Sequence, residues 1–176
     1  MSRAAEREAA FTRFVETAST SLLRAALVLL DTREEAEDAL QLTLLRTFRR
    51  WERAKEAPEA YSRAVLVNIC RERWRHRARH PEVTGALGDV GALAGVASFA
   101  EAVDRRHVLV RALRKLPAVQ REVLACRYLL DATVSETAAA LGIAEGTVKS
   151  AASRGLEQLR LLLSAEEKKV SRVHPG

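Results

Sequence analysis

Between His80 and Asp104 the chain changes character, and that change limits the folds open to it. Residues 81–104 read PEVTGALGDVGALAGVASFAEAVD, with four glycines, no lysine or arginine, and four acids. A stretch of this kind presents no periodic apolar face and reads as a flexible linker. It divides the chain into a first unit over 1–80 and a second over 105–165, followed by a polar tail over 166–176 that is expected to fray. Charge follows the same division. Residues 1–80 hold 16 basic and 12 acidic side chains (+4), 81–104 hold 0 and 4 (−4), and 105–176 hold 13 and 7 (+6), for a total of +6. Two basic units on an acidic tether suit an anionic partner, either nucleic acid or an acidic protein surface.

Both units read as all-α. Ala, Leu, Arg and Glu dominate, only 4 prolines occur in 176 residues, and no alternating apolar pattern marks a strand. Leu22, Leu23, Ala26, Leu27 and Leu30 fall at helical spacing, and Asp31-Thr-Arg-Glu34 then offers a capping box for the next helix. That second helix is expected to bury Ala36, Leu40, Leu44, Phe48 and Trp51, with Asp38, Gln41, Leu42 and Leu45 around its side. Pro58 can open a third helix, in which Tyr61, Val65, Ile69 and Trp74 recur before the run RERWRHRAR. Arg71, Arg73, Arg75, Arg77 and Arg79 alternate, so they spread around that helix and only some can face one ligand. The second unit continues as HVLVRALRKL, a Pro117 start, VQREVLACRYLL, a break at Asp131-Ala-Thr, VSETAAALG, a tight turn and a helix to about Leu163.

The turn is the part of the chain with the sharpest local chemistry. A helix-turn-helix needs a small residue where its helices cross, a glycine at positive φ in the turn, and an aliphatic residue pinning the second helix. Ala138, Gly142 and Val148 supply these, and Ser135 or Thr133 can cap the first helix. In such a unit the N-terminal part of the second helix reads bases in the major groove, which makes Glu145, Thr147, Lys149, Ser150 and Arg154 the candidate DNA contacts. An αα-hairpin with a solvated charged face has the same local pattern.

The segment LRKLPAVQREVLACRYLLDATVSETAAALGIAEGTVKSAASRGLEQLR resembles the promoter-distal DNA-binding domain of extracytoplasmic-function sigma factors of the sigma-70 family, including the actinobacterial sigma-E-like group. REEAEDALQLTLLRTFRRW resembles that family's polymerase-binding helix, and PEAYSRAVLVNICRERWRHRAR its promoter-melting helix. The resemblance spans residues 10–80 and 105–163 in the family's order. It implies a sigma region 2-like bundle joined to a sigma region 4-like helix-turn-helix. It also implies core RNA polymerase and promoter DNA as partners, an anti-sigma factor or other protein antagonist, and a monomer when free.

By the same resemblance Asp38 and Gln41, with the edge formed by Leu42 and Leu45, would meet polymerase. Tyr61, Asn68, Arg71, Arg75 and Arg79 would serve the −10 element, and the helix-turn-helix residues the −35 element. The chain departs from the family at several of these places. Leu42 stands where an acid is usual, Tyr61 where Trp is usual, Glu72 where Asp is usual, and Ala151-Ala152-Ser153 where an arginine and a bulkier pair are usual. Leu42 would exchange electrostatic steering for apolar packing, and Ala151 would remove a DNA contact. A helix-turn-helix regulator that binds operators without polymerase, and a protein-interaction module that has lost promoter activity, remain the competing classes. A polymerase-binding helix followed by a melting helix is what would separate them.

Other chemistries find little support. Cys70 and Cys126 have neither disulfide-framework nor zinc spacing. His76 and His80 sit among arginines, where solvated or phosphate-side roles are expected. The four linker glycines lack the Gly-Lys-Ser/Thr of a phosphate-binding loop. No carboxylate pairs with a nucleophile and base, so no enzymatic activity and no cofactor are expected. The longest apolar run, AALVLL, is far too short for a membrane span, and the basic start has no apolar leader, so a cytoplasmic protein without membrane insertion is expected.

Overall fold

The computed structural model describes residues 2–79 and 100–173, with side-chain placement for 2–79 and 106–166. Its regular elements are all helical: α1 (Arg3–Leu29), α2 (Arg33–Arg49), α3 (Trp51–Ala54), α4 (Pro58–Arg79), α5 (Ala100–Arg114), α6 (Ala118–Leu124) with a π turn over Ala125–Leu129, α7 (Val134–Leu141) and α8 (Glu145–Val173). The expected linker over 81–104 lies mostly outside the described residues, but its last part is helical, because α5 already begins at Ala100. The tail is likewise shorter than expected. No glycine or proline falls between Leu163 and Val173, and α8 runs on to Val173.

Phe14, Ala18, Leu22, Ala25, Ala26 and Leu29 form the buried stripe of α1. The chain then turns through Leu30 in extended conformation, and Thr32 caps α2 by accepting from the Glu35 amide at 3.1 Å. The cap expected at Asp31 is therefore made one residue later, by the Thr32 side chain alone, and Asp31 pairs with Arg77 of α4 instead.

The buried face of α2 agrees with expectation at Ala36, and Trp51 just beyond it is buried as expected, but the middle of the face is shifted. Ala36, Ala39, Thr43 and Thr47 are buried, whereas Leu40, Leu44 and Phe48 lie half-exposed along the flanks. Small side chains let α2 sit close to both α1 and α4. The two hydroxyls return to their own helix, Thr43 donating to the Ala39 carbonyl at 2.7 Å and Thr47 to the Thr43 carbonyl at 2.8 Å. No polar group on that face is thereby left without a partner. An aromatic cluster closes the far end, where Phe11 meets Phe48 at 4.8 Å and packs edge-on to Trp51 at 5.2 Å. Arg7 lies over the Phe48 ring at 4.6 Å and donates to its carbonyl at 2.6 Å.

The second unit packs directly onto the first. Val110, Leu113, Leu116, Leu124 and Leu130 share one apolar core with Leu22, Leu29, Leu66 and Ile69. A second core joins Val67 of α4 to Val123, Cys126, Ala138, Leu141, Val148 and Ala151.

Candidate nucleic-acid interface

The helix-turn-helix forms from the residues that specify it. Thr133 caps α7, accepting from the Glu136 amide at 3.1 Å while Glu136 accepts from the Thr133 amide at 2.7 Å. Of the two possible caps, Thr133 is the one used. These bonds hold the Glu136 carboxyl below its usual pKa. Gly142 ends α7 at φ 64°, with its amide and that of Ile143 both returning to the Ala138 carbonyl. Ala138 and Val148 are buried where the two helices cross, Val148 with no exposed surface at all.

With Val148 and Ala151 directed inward, Glu145, Thr147, Lys149, Ser150 and Arg154 are all exposed on the first turns of α8. Ser150 donates to the Thr147 carbonyl at 3.1 Å, and Arg154 lies back along the helix toward the Ser150 carbonyl at 3.3 Å. Five polar side chains at a helix N-terminus, with its free N–H groups, can meet base edges and phosphates together. Ala151 is buried, so it serves the packing of α8, and the exposed face is formed by its neighbours.

The arginines of α4 separate by direction. Arg75 and Arg79 are exposed, Arg79 donating to the Arg75 carbonyl at 3.1 Å. Arg73 turns to α2, donating to the Glu35 carbonyl at 3.2 Å and lying 3.8 Å from Asp38, and Arg77 pairs with Asp31 and with Glu35. Arg71 faces the second unit and pairs with Glu122. Asn68 is exposed, whereas Tyr61 is half-buried against the main core. Trp74 is half-buried as well, with the Arg121 guanidinium 4.7 Å from its ring centroid.

On the edge of α2, Asp38 and Gln41 are exposed, Leu45 is 47 % exposed, and Leu42 is half-buried against the core. The edge therefore offers one acid, one amide and one open leucine to a partner.

Arg63, Glu122, Arg114 and Arg121 hold the two units together, and the sequence reading missed all four. Arg63 and Glu122 are charged residues at buried positions, and their partners lie 51 or more residues away. No local spacing signals such pairs.

His80 lies outside the described residues. Among the described residues no cluster of His, Cys, Asp or Glu is arranged to hold a metal ion, and no helix is long and apolar enough to cross a membrane. Cys70 and Cys126 are buried free thiols, and burial raises both pKa values to about 12.

The fold and its exposed helix N-terminus define a class: a two-unit helical protein whose second unit presents a helix-turn-helix. Residues 14–80 match the model of sigma-70 region 2, and residues 106–159 that of sigma-70, region 4. The chain belongs to the sigma-70 family, in its extracytoplasmic-function branch. It is 36% identical over 159 residues to the RNA polymerase sigma-E factor of Streptomyces avermitilis, covering 89% of this chain and 87% of that one. It is 35% identical over 134 residues to the ECF RNA polymerase sigma factor SigM of Mycobacterium tuberculosis, covering 75% and 66%. Among solved structures, the sigma factor RpoE of Bartonella quintana, in complex with the anti-sigma factor NepR, superimposes with a TM-score of 0.74 at 24% identity, covering 88% of this chain and 96% of that one. CnrH in complex with the cytosolic domain of CnrY gives 0.62 at 21%, covering 88% of each.

Proposed function

We propose that this chain is a non-enzymatic, cytoplasmic initiation factor that docks on core RNA polymerase through Asp38, Gln41, Leu42 and Leu45 of α2. In this reading the first turns of α8 hold the −35 element, and the open face of α4, with Asn68, Arg75 and Arg79, holds the −10 strand. The observation that carries it is the division of labour in α8. Val148 and Ala151 are buried while Glu145, Thr147, Lys149, Ser150 and Arg154 are all exposed, so one helix is both anchored and open for reading. Of the solved structures described above, RpoE was solved in complex with the anti-sigma factor NepR and CnrH in complex with the cytosolic domain of CnrY, which supports a protein antagonist for this chain too.

The test is reconstitution with bacterial core polymerase on a genomic fragment library, scored by open-complex formation and transcript start. Discrete promoter-specific starts, lost when Asp38→Ala and Gln41→Ala are combined, are the expected result. Duplex binding by the chain alone, with no association with polymerase, would favour an operator-binding regulator instead.

A further inference from the structure

Arg71 is assigned above to the strand-holding helix, yet each of its three guanidinium nitrogens already donates within the chain. Its Nε and Nη2 donate to the two carboxylate oxygens of Glu122, each at 2.7 Å, and its Nη1 donates to the Leu141 carbonyl at 2.6 Å. A bidentate carboxylate matches the geometry of a phosphate on the same fork, so the two ligands are mutually exclusive. Glu122 is buried, and its hydrogen bond holds the Arg71 pKa above the ordinary arginine value.

Further arginine latches cross the same seam. Arg63, buried in α4, donates to the Leu130 carbonyl at 3.1 Å and lies 3.4 Å from Glu136 of α7. Arg114 of α5 donates twice to the Leu27 carbonyl, at 3.2 and 2.7 Å, near the end of α1 where helix carbonyls lack partners of their own. A cavity of about 270 Å³ remains along the seam, lined in part by Thr17, Ser21, Ser62, Arg63 and Asp131. Polar latches and an incompletely filled cavity thus flank the shared apolar core, and a contact between units of this mixed character can open where an all-apolar one would not.

We infer that the free chain is self-locked: Glu122 occupies Arg71 where a nucleic-acid phosphate would bind, and the lock must open before α4 can hold a melted strand. The inference rests on the reading of α4 as the strand-holding helix. Polyanion and the internal carboxylate compete for one guanidinium, so the lock weakens as salt or nucleic acid rises.

Small-angle scattering and circular dichroism on the full chain test this, with a fluorescein-labelled oligothymidylate as the binding probe. Wild type is expected near a radius of gyration of about 16 Å, the value for a compact chain of this length. Glu122→Gln is expected to exceed about 20 Å, as separated units would, with unchanged helicity and about tenfold tighter oligothymidylate binding. Arg114→Met cuts a different latch and is expected to open the chain by a second route, which keeps the test decisive should Glu122→Gln lose its helicity. The charge-exchanged pair Arg71→Glu with Glu122→Arg is expected to close it again. Folded variants that keep the wild-type radius and oligothymidylate affinity overturn the lock. Should the variants open while neither they nor wild type start transcripts with core polymerase, the initiation-factor reading falls and the lock stands.

Discussion

Val148→Ala tests whether one aliphatic side chain pins the reading helix. Val148 has no exposed surface and packs in the core that joins Val67, Val123, Cys126, Ala138 and Leu141. Removing two buried carbons forfeits about 1.6 kcal/mol of transfer free energy at ~0.8 kcal/mol per carbon. The residual cavity raises this toward about 3 kcal/mol, and the better helix propensity of alanine returns about 0.5 kcal/mol. The net expectation is a loss of about 1–2.5 kcal/mol, a large part of the stability of a domain this size. Urea unfolding followed by circular dichroism should show the midpoint falling by about 1 M with an unchanged slope. Val148→Thr, nearly the same shape, buries a hydroxyl that can reach only carbonyls of its own helix one turn back and should cost about 1–2 kcal/mol. If both variants unfold within about 0.5 kcal/mol of wild type, as surface substitutions do, Val148 is not the pin and the crossing is held elsewhere.

A β-carbon at Gly142 would meet no atom within 4 Å, so Gly142→Ala should lose about 1 kcal/mol through its φ of 64° alone, and Gly142→Asn less, both read from urea midpoints. The Glu136 carboxyl is held below its ordinary pKa by Thr133. Its contribution is therefore complete above the unfolded value of about 4.3 and is lost as pH falls through the folded value; Thr133→Ala should flatten that part of the acid stability profile. Cys70 and Cys126, with thiols raised to about 12, should resist an aromatic disulfide reagent at neutral pH until urea unfolds the chain; prompt labelling of the native protein would contradict their burial.

The helix-turn-helix was legible because its determinants are local. Ala138, Gly142 and Val148 must sit at fixed offsets, and Thr133 can reach Glu136 only within one turn. The face of α2 was legible at Ala36 and was misread in its middle because periodicity counts leucines, whereas close helix approach selects Ala39, Thr43 and Thr47. The π turn after α6 has no sequence signature: the Leu130 amide reaches the Ala125 carbonyl at 3.1 Å, leaving Asp131 at φ 47°. The seam was invisible for a different reason. Arg71 and Glu122 sit in segments that each read as a solvated or family-specific pattern, and only the fold brings them to 2.7 Å.

The alanine and threonine face of α2 separates two kinds of information along one helix. The residues that face α1 and α4 are fully buried and leave no space for a larger side chain, whereas Gln41 and Leu45 are exposed and Asp38 reaches only the Arg73 guanidinium. Substitution on the outer edge can therefore retune which surface the helix recognises while its position stays fixed. A lineage copying this chain many times could diversify this outer edge without redesigning the bundle. The leucine at position 42, half on each side of that division, is where such retuning would first be felt by the core.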